Sequence, residues 1–275
     1  MRARRERKKD LIWNPRGKYN GRGYDHRHAF SWKHLKFWKT EYWKLIKDYL
    51  EERREAGYYV LPSMNKSTIF RSLVMTPFDR VKIVILGQDP YYTKGIADGL
   101  AFSVLPNIKE VPPSTTKGSF RHSHYQGEGR ATKIPGSLSN IFNEYTEDTG
   151  YPYPRTGDLS GWARNGILMA NILWTVEEGR PRSHYKIRDK YAWQELTAEI
   201  IEQLSLRKDR LVFILWGKVA QEWKYMIDQE KHLVLEGPHP SPRNFTTRGV
   251  KFAGGKYFTK ACEYLNIDKR IWRLP

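Results

Sequence analysis

Four apolar runs in this chain are each followed by a polar segment whose side chains can do chemistry. Gly87-Gln88-Asp89-Pro90-Tyr91-Tyr92 follows Val81–Leu86, and Asn171 follows Ile167–Ala170. Trp216-Gly217-Lys218 follows Leu211–Leu215, and Glu236-Gly237-Pro238-His239-Pro240-Ser241-Pro242 follows Leu233–Leu235. An ionised carboxylate stabilises positive charge or positions a water. An amide donates and accepts along one flat edge, and an imidazole hands a proton or a hydrogen bond across near neutral pH. Each residue alone has a plainer role. Asp89 ahead of Pro90 suits a turn or helix cap. Asn171 suits a satisfied strand end, His239 between prolines a structural position, and Phe102 in Gly-Leu-Ala-Phe-Ser-Val a core ring. Convergence of all of them would outweigh these separate readings.

Convergence depends on the elements that carry them. The four runs are short, mostly contain β-branched residues, and are bounded by polar, Gly or Pro positions, so they read as strands. Helical spacing lies between and after them: Leu138/Ile141/Phe142/Tyr145, Trp193/Leu196/Ile200/Leu204, Val219/Ala220/Trp223/Met226/Ile227 and Tyr257/Phe258/Ala261/Leu265. Strands alternating with helices predict an α/β fold with a parallel sheet covered on both faces. In such sheets ligands bind beyond the carboxyl ends of the strands, where all four polar segments fall. Ahead of the first strand, Leu35, Trp38, Tyr42, Leu45, Ile46, Tyr49 and Leu50 predict one amphipathic helix from His34, stopped at Gly57. Leu105–Pro135 has no period and reads as a long surface loop.

The chain has 275 residues and a net charge of +18, which favours a polyanionic partner, nucleic acid before an acidic membrane surface. Residues 1–40 hold 13 Lys/Arg against 3 Asp/Glu. Residues 1–33 read as a basic arm, flexible when alone, and residues 34–275 as the folded domain. The arm either grips phosphates or serves as a solubilising or nuclear-targeting run. It lacks the apolar core of a secretory signal, and no stretch approaches a membrane span. One cysteine, Cys262, excludes an internal disulfide and a Cys-based zinc cluster, and fits a reducing, intracellular setting: cytoplasmic, with a nuclear one left open by the arm.

Read together, GQDPYY after a strand, GLAFSV some ten residues later, GILMANILWTV, LWGKVAQ and HPSP resemble the ordered motif series of the family 1 uracil-DNA glycosylases, from about Trp38 to the end. The resemblance implies a single α/β domain with a four-stranded parallel sheet. It also implies a monomer that removes uracil from single- or double-stranded DNA by hydrolysing the N-glycosidic bond, with no metal or organic cofactor. A protein inhibitor or replication partner is left open. By the same resemblance Asp89 and His239 are catalytic, and Gln88, Tyr91, Phe102 and Asn171 hold the flipped uracil. Ser137, Gly217, Lys218, Ser241 and Arg243 contact the DNA. The alternative is a catalytically silent DNA-binding or polymerase-accessory module of the same fold.

Three departures stand out. Tyr92 replaces the family's usual His after Asp-Pro-Tyr, Arg243 replaces the usual Leu wedge after HPSP, and the 105–135 loop is longer than usual. Arg243 carries a flat guanidinium that stacks on bases or binds phosphate, with Phe245 as a helper. Ser114, after Pro112-Pro113, imitates the phosphate-gripping serine, but SLSNIFNEY continues from Ser137 as the expected helix.

Overall fold

The computed structural model describes residues 31–62, 68–106, 134–242 and 251–274. Arg243, Phe245, Ser114, most of the basic arm and nearly all of the 105–135 loop lie outside the described residues. In chain order the elements are helix α1 (Glu41–Glu55), strand β1 (Val60–Leu61), helix α2 (Arg71–Met75), β2 (Ile83–Gly87), α3 (Gly136–Thr149) and α4 (Ser160–Arg164). There follow β3 (Ile167–Asn171), β4 (Val176–Glu177), α5 (Ala192–Arg207), β5 (Val212–Trp216), α6 (Lys218–Gln221), β6 (Leu233–Gly237) and α7 (Tyr257–Leu265).

The main sheet has the order β3-β2-β5-β6, and all its pairs are parallel. Gly87 lies opposite Asn171 at one end, and Trp216 lies opposite Gly237. The strand pleat sends alternate residues to opposite faces, and both faces are packed. Val84, Leu86, Leu168, Ala170, Phe213 and Leu215 join a core shared with Ile46 and Leu50 of α1 and Trp193 and Leu196 of α5. Ile83, Ile85, Ile167, Met169, Val212 and Ile214 join a second core with Phe142 of α3, Trp162 of α4 and Phe258 of α7. This two-sided burial is why the runs read as unbroken apolar strands.

Three differences from the sequence pattern have physical causes. The apolar stripe from His34 is two elements, a 3-10 turn at Lys36–Lys39 and then α1. Thr40 divides them: its hydroxyl donates to the Phe37 carbonyl at 2.8 Å and accepts from Trp43 N–H at the start of α1. The turn is also held from outside, because the Glu199 carboxylate takes the N–H groups of Lys36 and Phe37. The pattern through Val219–Ile227 is likewise shorter than a full helix, with α6 followed by a 3-10 turn at Lys224–Met226. Finally, Trp32 belongs to the packed body although composition assigns it to the arm. It is 1% exposed, packs edge-on to Phe78 and donates its indole N–H to the Thr76 carbonyl at 3.0 Å.

The short antiparallel pair of β1 and β4 was not legible in the sequence. No helix of the described residues is long and apolar enough to cross a membrane.

Helix α7 has no side-chain cap of its own, and Lys256 before it is in the left-handed region at φ 53°. Asp148 of α3 supplies the cap instead, accepting from Phe258 N–H, Thr259 N–H and the Thr259 hydroxyl. Replacing Asp148 by Ala should lower the unfolding free energy by about 1–2 kcal/mol, the cost of a lost N-cap. A urea titration whose midpoint does not move would show the cap to be dispensable.

Candidate active site

The site grows from the end of β2. Gly87 is glycine because the chain crosses there at close range: a Cβ would run into the Asn171 side-chain oxygen. The crossing is fixed by Ile172 N–H donating to the Gly87 carbonyl at 2.8 Å and Leu173 N–H to the Gln88 carbonyl at 2.9 Å. Asn171 is thereby set against the start of the Gln88–Tyr91 loop. Its side chain is 7% exposed and is engaged by no hydrogen bond among the described residues. A donor and an acceptor thus stand side by side.

Asp89 is half-buried. One carboxylate oxygen accepts from the Gln88 amide at 3.2 Å, the other from Arg182 N–H at 2.8 Å. Burial pushes its pKa up, and those two hydrogen bonds pull against the shift. Two residues on, the Tyr91 hydroxyl donates to the Phe102 carbonyl at 3.2 Å, and burial raises its pKa as well. Tyr92 is exposed and joins the region through its backbone, its carbonyl accepting from Gly179 N–H at 2.8 Å.

Phe102 is held at φ 63°, a conformation that a bulky residue adopts only under constraint. The constraint is Asp98, which is 1% exposed. Its carboxylate accepts from Leu100 N–H at 3.0 Å and from the Ser103 hydroxyl at 2.7 Å, and it pairs with the Arg71 guanidinium. Ala101 N–H donates to the Met169 carbonyl, tying the same turn to β3. The Phe102 ring, half-buried, meets Trp216 edge-on at 5.7 Å and lies 6.1 Å from the His239 ring.

His239 follows β6. Its Nδ1 accepts Ser241 N–H at 3.1 Å, so the neutral ring carries its proton on Nε2. Burial lowers its pKa below the ordinary 6.5, which favours that neutral form. Gly217 makes the approach possible: it has φ 89°, and a Cβ there would lie 2.9 Å from the His239 Cβ. Gln221 ties the two strand ends together, its amide donating to the Gly237 carbonyl at 2.7 Å. Lys218, next to Gly217, is exposed.

Ser137 opens α3 and Ser241 sits in the His239 loop, both half-buried. The two segments touch, because Asn140 donates to the Pro240 carbonyl at 2.8 Å and a Cβ on Gly136 would meet the Pro242 ring. The described candidates Gln88, Asp89, Tyr91, Phe102, Asn171, Gly217 and His239 therefore lie along one edge of the sheet, with Ser137, Lys218 and Ser241 on the neighbouring segments. Sequence reasoning missed Asp98, Asn140, Arg182 and Gln221. Asp98-Gly99 was open to reading as a turn signal, and Asn140 stands one turn beyond Ser137. Arg182 acts on Asp89 mainly through its backbone N–H, which leaves no side-chain signature. Among the described residues, no three His, Cys, Asp or Glu side chains gather where a metal ion would be held.

Removing the Asp98 carboxylate takes the acceptor from buried Leu100 N–H and from the Ser103 hydroxyl, while Arg71 keeps Asp158 at 3.8 Å, so Asp98→Ala should cost about 1–3 kcal/mol. Chemical denaturation reads this directly, and a loss below about 1 kcal/mol would reduce the pair to a surface-like contact. Gly217→Ala should cost about 1–3 kcal/mol of backbone strain and shift the His239 ring signals in NMR spectra. Unshifted ring signals would mean that the glycine does not set the approach of His239.

A family model described as the uracil DNA glycosylase superfamily matches residues 75–266. A protein of Acinetobacter baumannii (strain SDF) named uracil-DNA glycosylase is 38% identical over 249 residues, covering 89% of this chain and 92% of that protein. The crystal structure of mimivirus uracil-DNA glycosylase superposes with a TM-score of 0.73 at 23% identity, covering 98% of this chain and 92% of that one. A mimivirus variant, Y322F, solved in complex with UGI, superposes with a TM-score of 0.69 at 23% identity, covering 89% of this chain and 88% of that one. With the family model spanning most of the folded body, and the sequence relative matching nearly end to end, this chain belongs to the uracil-DNA glycosylase superfamily.

Proposed function

We propose that this protein flips uracil out of DNA and hydrolyses its N-glycosidic bond, leaving an abasic site for base excision repair. The observation that carries the reading is that Asp89, Phe102, Asn171 and His239 come to one sheet edge from four separate segments, with backbone contacts fixing each segment. A stacked base is out of reach, so it must leave the duplex at a cost of a few kcal/mol. Ser137, Ser241 and the Gly217-Lys218 turn offset that cost by gripping phosphates beside the site.

In this reading the extrahelical uracil stacks on Phe102. The Asn171 amide donates to O4 and accepts from N3–H, the edge that separates uracil from cytosine. The Tyr91 ring, tethered to the Phe102 carbonyl, fills the space that a thymine methyl needs. As the C1′–N1 bond breaks, its electrons leave with the base and positive charge grows on the sugar. Ionised Asp89 stabilises that charge and positions the water that adds to C1′, with Gln88 steadying the loop. His239 donates from Nε2 to O2 as negative charge gathers there, a preorganised donor worth about 3–4 kcal/mol. Neutral His239 keeps its proton for donation without adding a formal charge. The DNA substrate and the free, buried Cys262 support an intracellular, cytoplasmic setting. The intact set of pocket groups speaks against a catalytically silent module.

Asp89→Asn should slow single-turnover excision by about 10²–10⁴ while DNA binding holds. A raised carboxylate pKa means that the folded state binds this proton more tightly than the unfolded chain, so the ionised group destabilises the fold above that pKa. The same variant should therefore melt no lower than the wild type. Undiminished excision would remove Asp89 from its role.

Wild-type excision should stay level as pH falls through 6.5, because His239 is already neutral there. It should then decline as Asp89 takes up a proton, at a pH above the ordinary 3.8. A rate that tracks a group titrating at 6.5 would contradict this assignment. Tyr91→Ala should release thymine from thymine-containing strands; if no thymine appears while uracil excision persists, the steric account is wrong.

A further inference from the structure

Among the described residues, five of the six exposed tyrosines lie on neighbouring segments; the sixth, Tyr225, stands apart on the Lys224–Met226 turn. Tyr58, Tyr59, Tyr92, Tyr185 and Tyr191 are 36–46% exposed, and all lie on segments joined to one another by backbone bonds. Glu178 N–H donates to the Tyr59 carbonyl, and Gly179 N–H to the Tyr92 carbonyl. The segment between them and α5, residues 178–190, reads EGRPRSHYKIRDK, with five Lys/Arg against two Asp/Glu.

This segment leads away from Asp89 as a chain of contacts. Arg182 N–H is on the Asp89 carboxylate, and the Arg182 guanidinium lies over the Tyr185 ring at 4.6 Å. Tyr185 meets Tyr191 edge-on at 5.4 Å, and the Lys186 ammonium lies over Tyr191 at 5.0 Å. Neither Arg182 nor Lys186 forms an ion pair among the described residues.

The segment is also fixed in place. Buried Glu177 accepts from Arg53 and Arg180, and its N–H donates to the Ser183 hydroxyl. His184, 0% exposed, shares a 2.7 Å hydrogen bond with the Thr175 hydroxyl, which also takes the Trp193 indole N–H. Gln194 donates to the Tyr185 carbonyl at 2.8 Å, and Arg188 pairs with Glu52. The aromatic rings are thus presented on a rigid base, at little ordering cost to a ligand.

Alternating rings and cations on a fixed surface are what an unpaired nucleic-acid strand requires: bases stack on the rings, and cations meet the phosphates between them. A duplex keeps its bases stacked on each other and has little use for exposed rings. We propose that Tyr185 and Tyr191, with Arg182 and Lys186, form a stacking track for single-stranded DNA that runs outward from the uracil pocket. The identity of the polyanion as DNA rests on the glycosylase reading above; the stacking itself does not depend on catalysis.

The test uses the full chain and a fluorescein-labelled oligonucleotide without uracil, so a failure of excision chemistry cannot affect it. Fluorescence anisotropy should show Tyr185→Ala/Tyr191→Ala binding the single strand more weakly by about 30-fold or more, the loss expected from two stacked bases at about 1–3 kcal/mol each. Binding of the matching duplex should change less than about threefold, a difference below 1 kcal/mol. Tyr185→Phe/Tyr191→Phe keeps both rings and should bind within about twofold of the wild type. Lys186→Gln should reduce the single-strand salt slope by about 0.7, one phosphate contact. Unchanged single-strand affinity in the alanine pair, or equal losses on single strand and duplex, would overturn the proposal. So would a phenylalanine pair as weak as the alanine pair.

Discussion

Burial on both faces of the parallel strands β2, β3 and β5, with β6 half-buried beside them, constrains everything else in this molecule. Ile83, Val84, Ile85 and Leu86 are each 0–1% exposed, and so are Val212–Leu215. An unpaired polar side chain inside such a strand would lose its water without compensation, so chemistry is confined to the strand ends. Because the strands run the same way, their carboxyl ends share one edge. Residues more than one hundred positions apart, such as Gln88 and His239, are gathered there by topology alone.

That edge is half-dry, and its electrostatics follow. Desolvation pushes both Asp89 and His239 toward their neutral forms. Each is oriented by a backbone group, Arg182 N–H for Asp89 and Ser241 N–H for His239, and the Gln88 amide and the charge of Arg182 add smaller pulls on Asp89. Backbone donors are part of the fold, and they need no reorganisation when a substrate arrives. In the proposed mechanism Asp89 works ionised, and a close ionic partner would neutralise that charge. Asp98 shows the contrast. It is paired with Arg71 and saturated with hydrogen bonds, and its work is to hold the Phe102 turn.

The strands, their direction and the residues after them were legible because each rests on local pattern: an apolar run, a Gly or Pro boundary, a polar group beyond it. The long helices over Leu138–Tyr145 and Trp193–Leu204 were legible for the same reason. What was not legible depends on contacts across the fold. Thr40 breaks an apolar stripe that looks continuous, because Glu199 captures the turn before it. Trp32 sits in a basic stretch and packs against Phe78 all the same. Arg182 supports Asp89 through an N–H that nearly every residue type carries. The departures at Tyr92 and Arg243 differ in what the structure says of them. Tyr92 is exposed and joined by its carbonyl, and Arg243 lies outside the described residues.

The proposed function requires this sheet edge to accept one extrahelical pyrimidine, and base release from matched oligonucleotides tests it most directly. Strands identical except for uracil, thymine or cytosine at one position would be incubated with the wild-type protein, and free base would be measured by chromatography. The account predicts free uracil and an abasic site from the uracil strand alone, with no thymine or cytosine released. Tight binding of all three strands with no free uracil would contradict it.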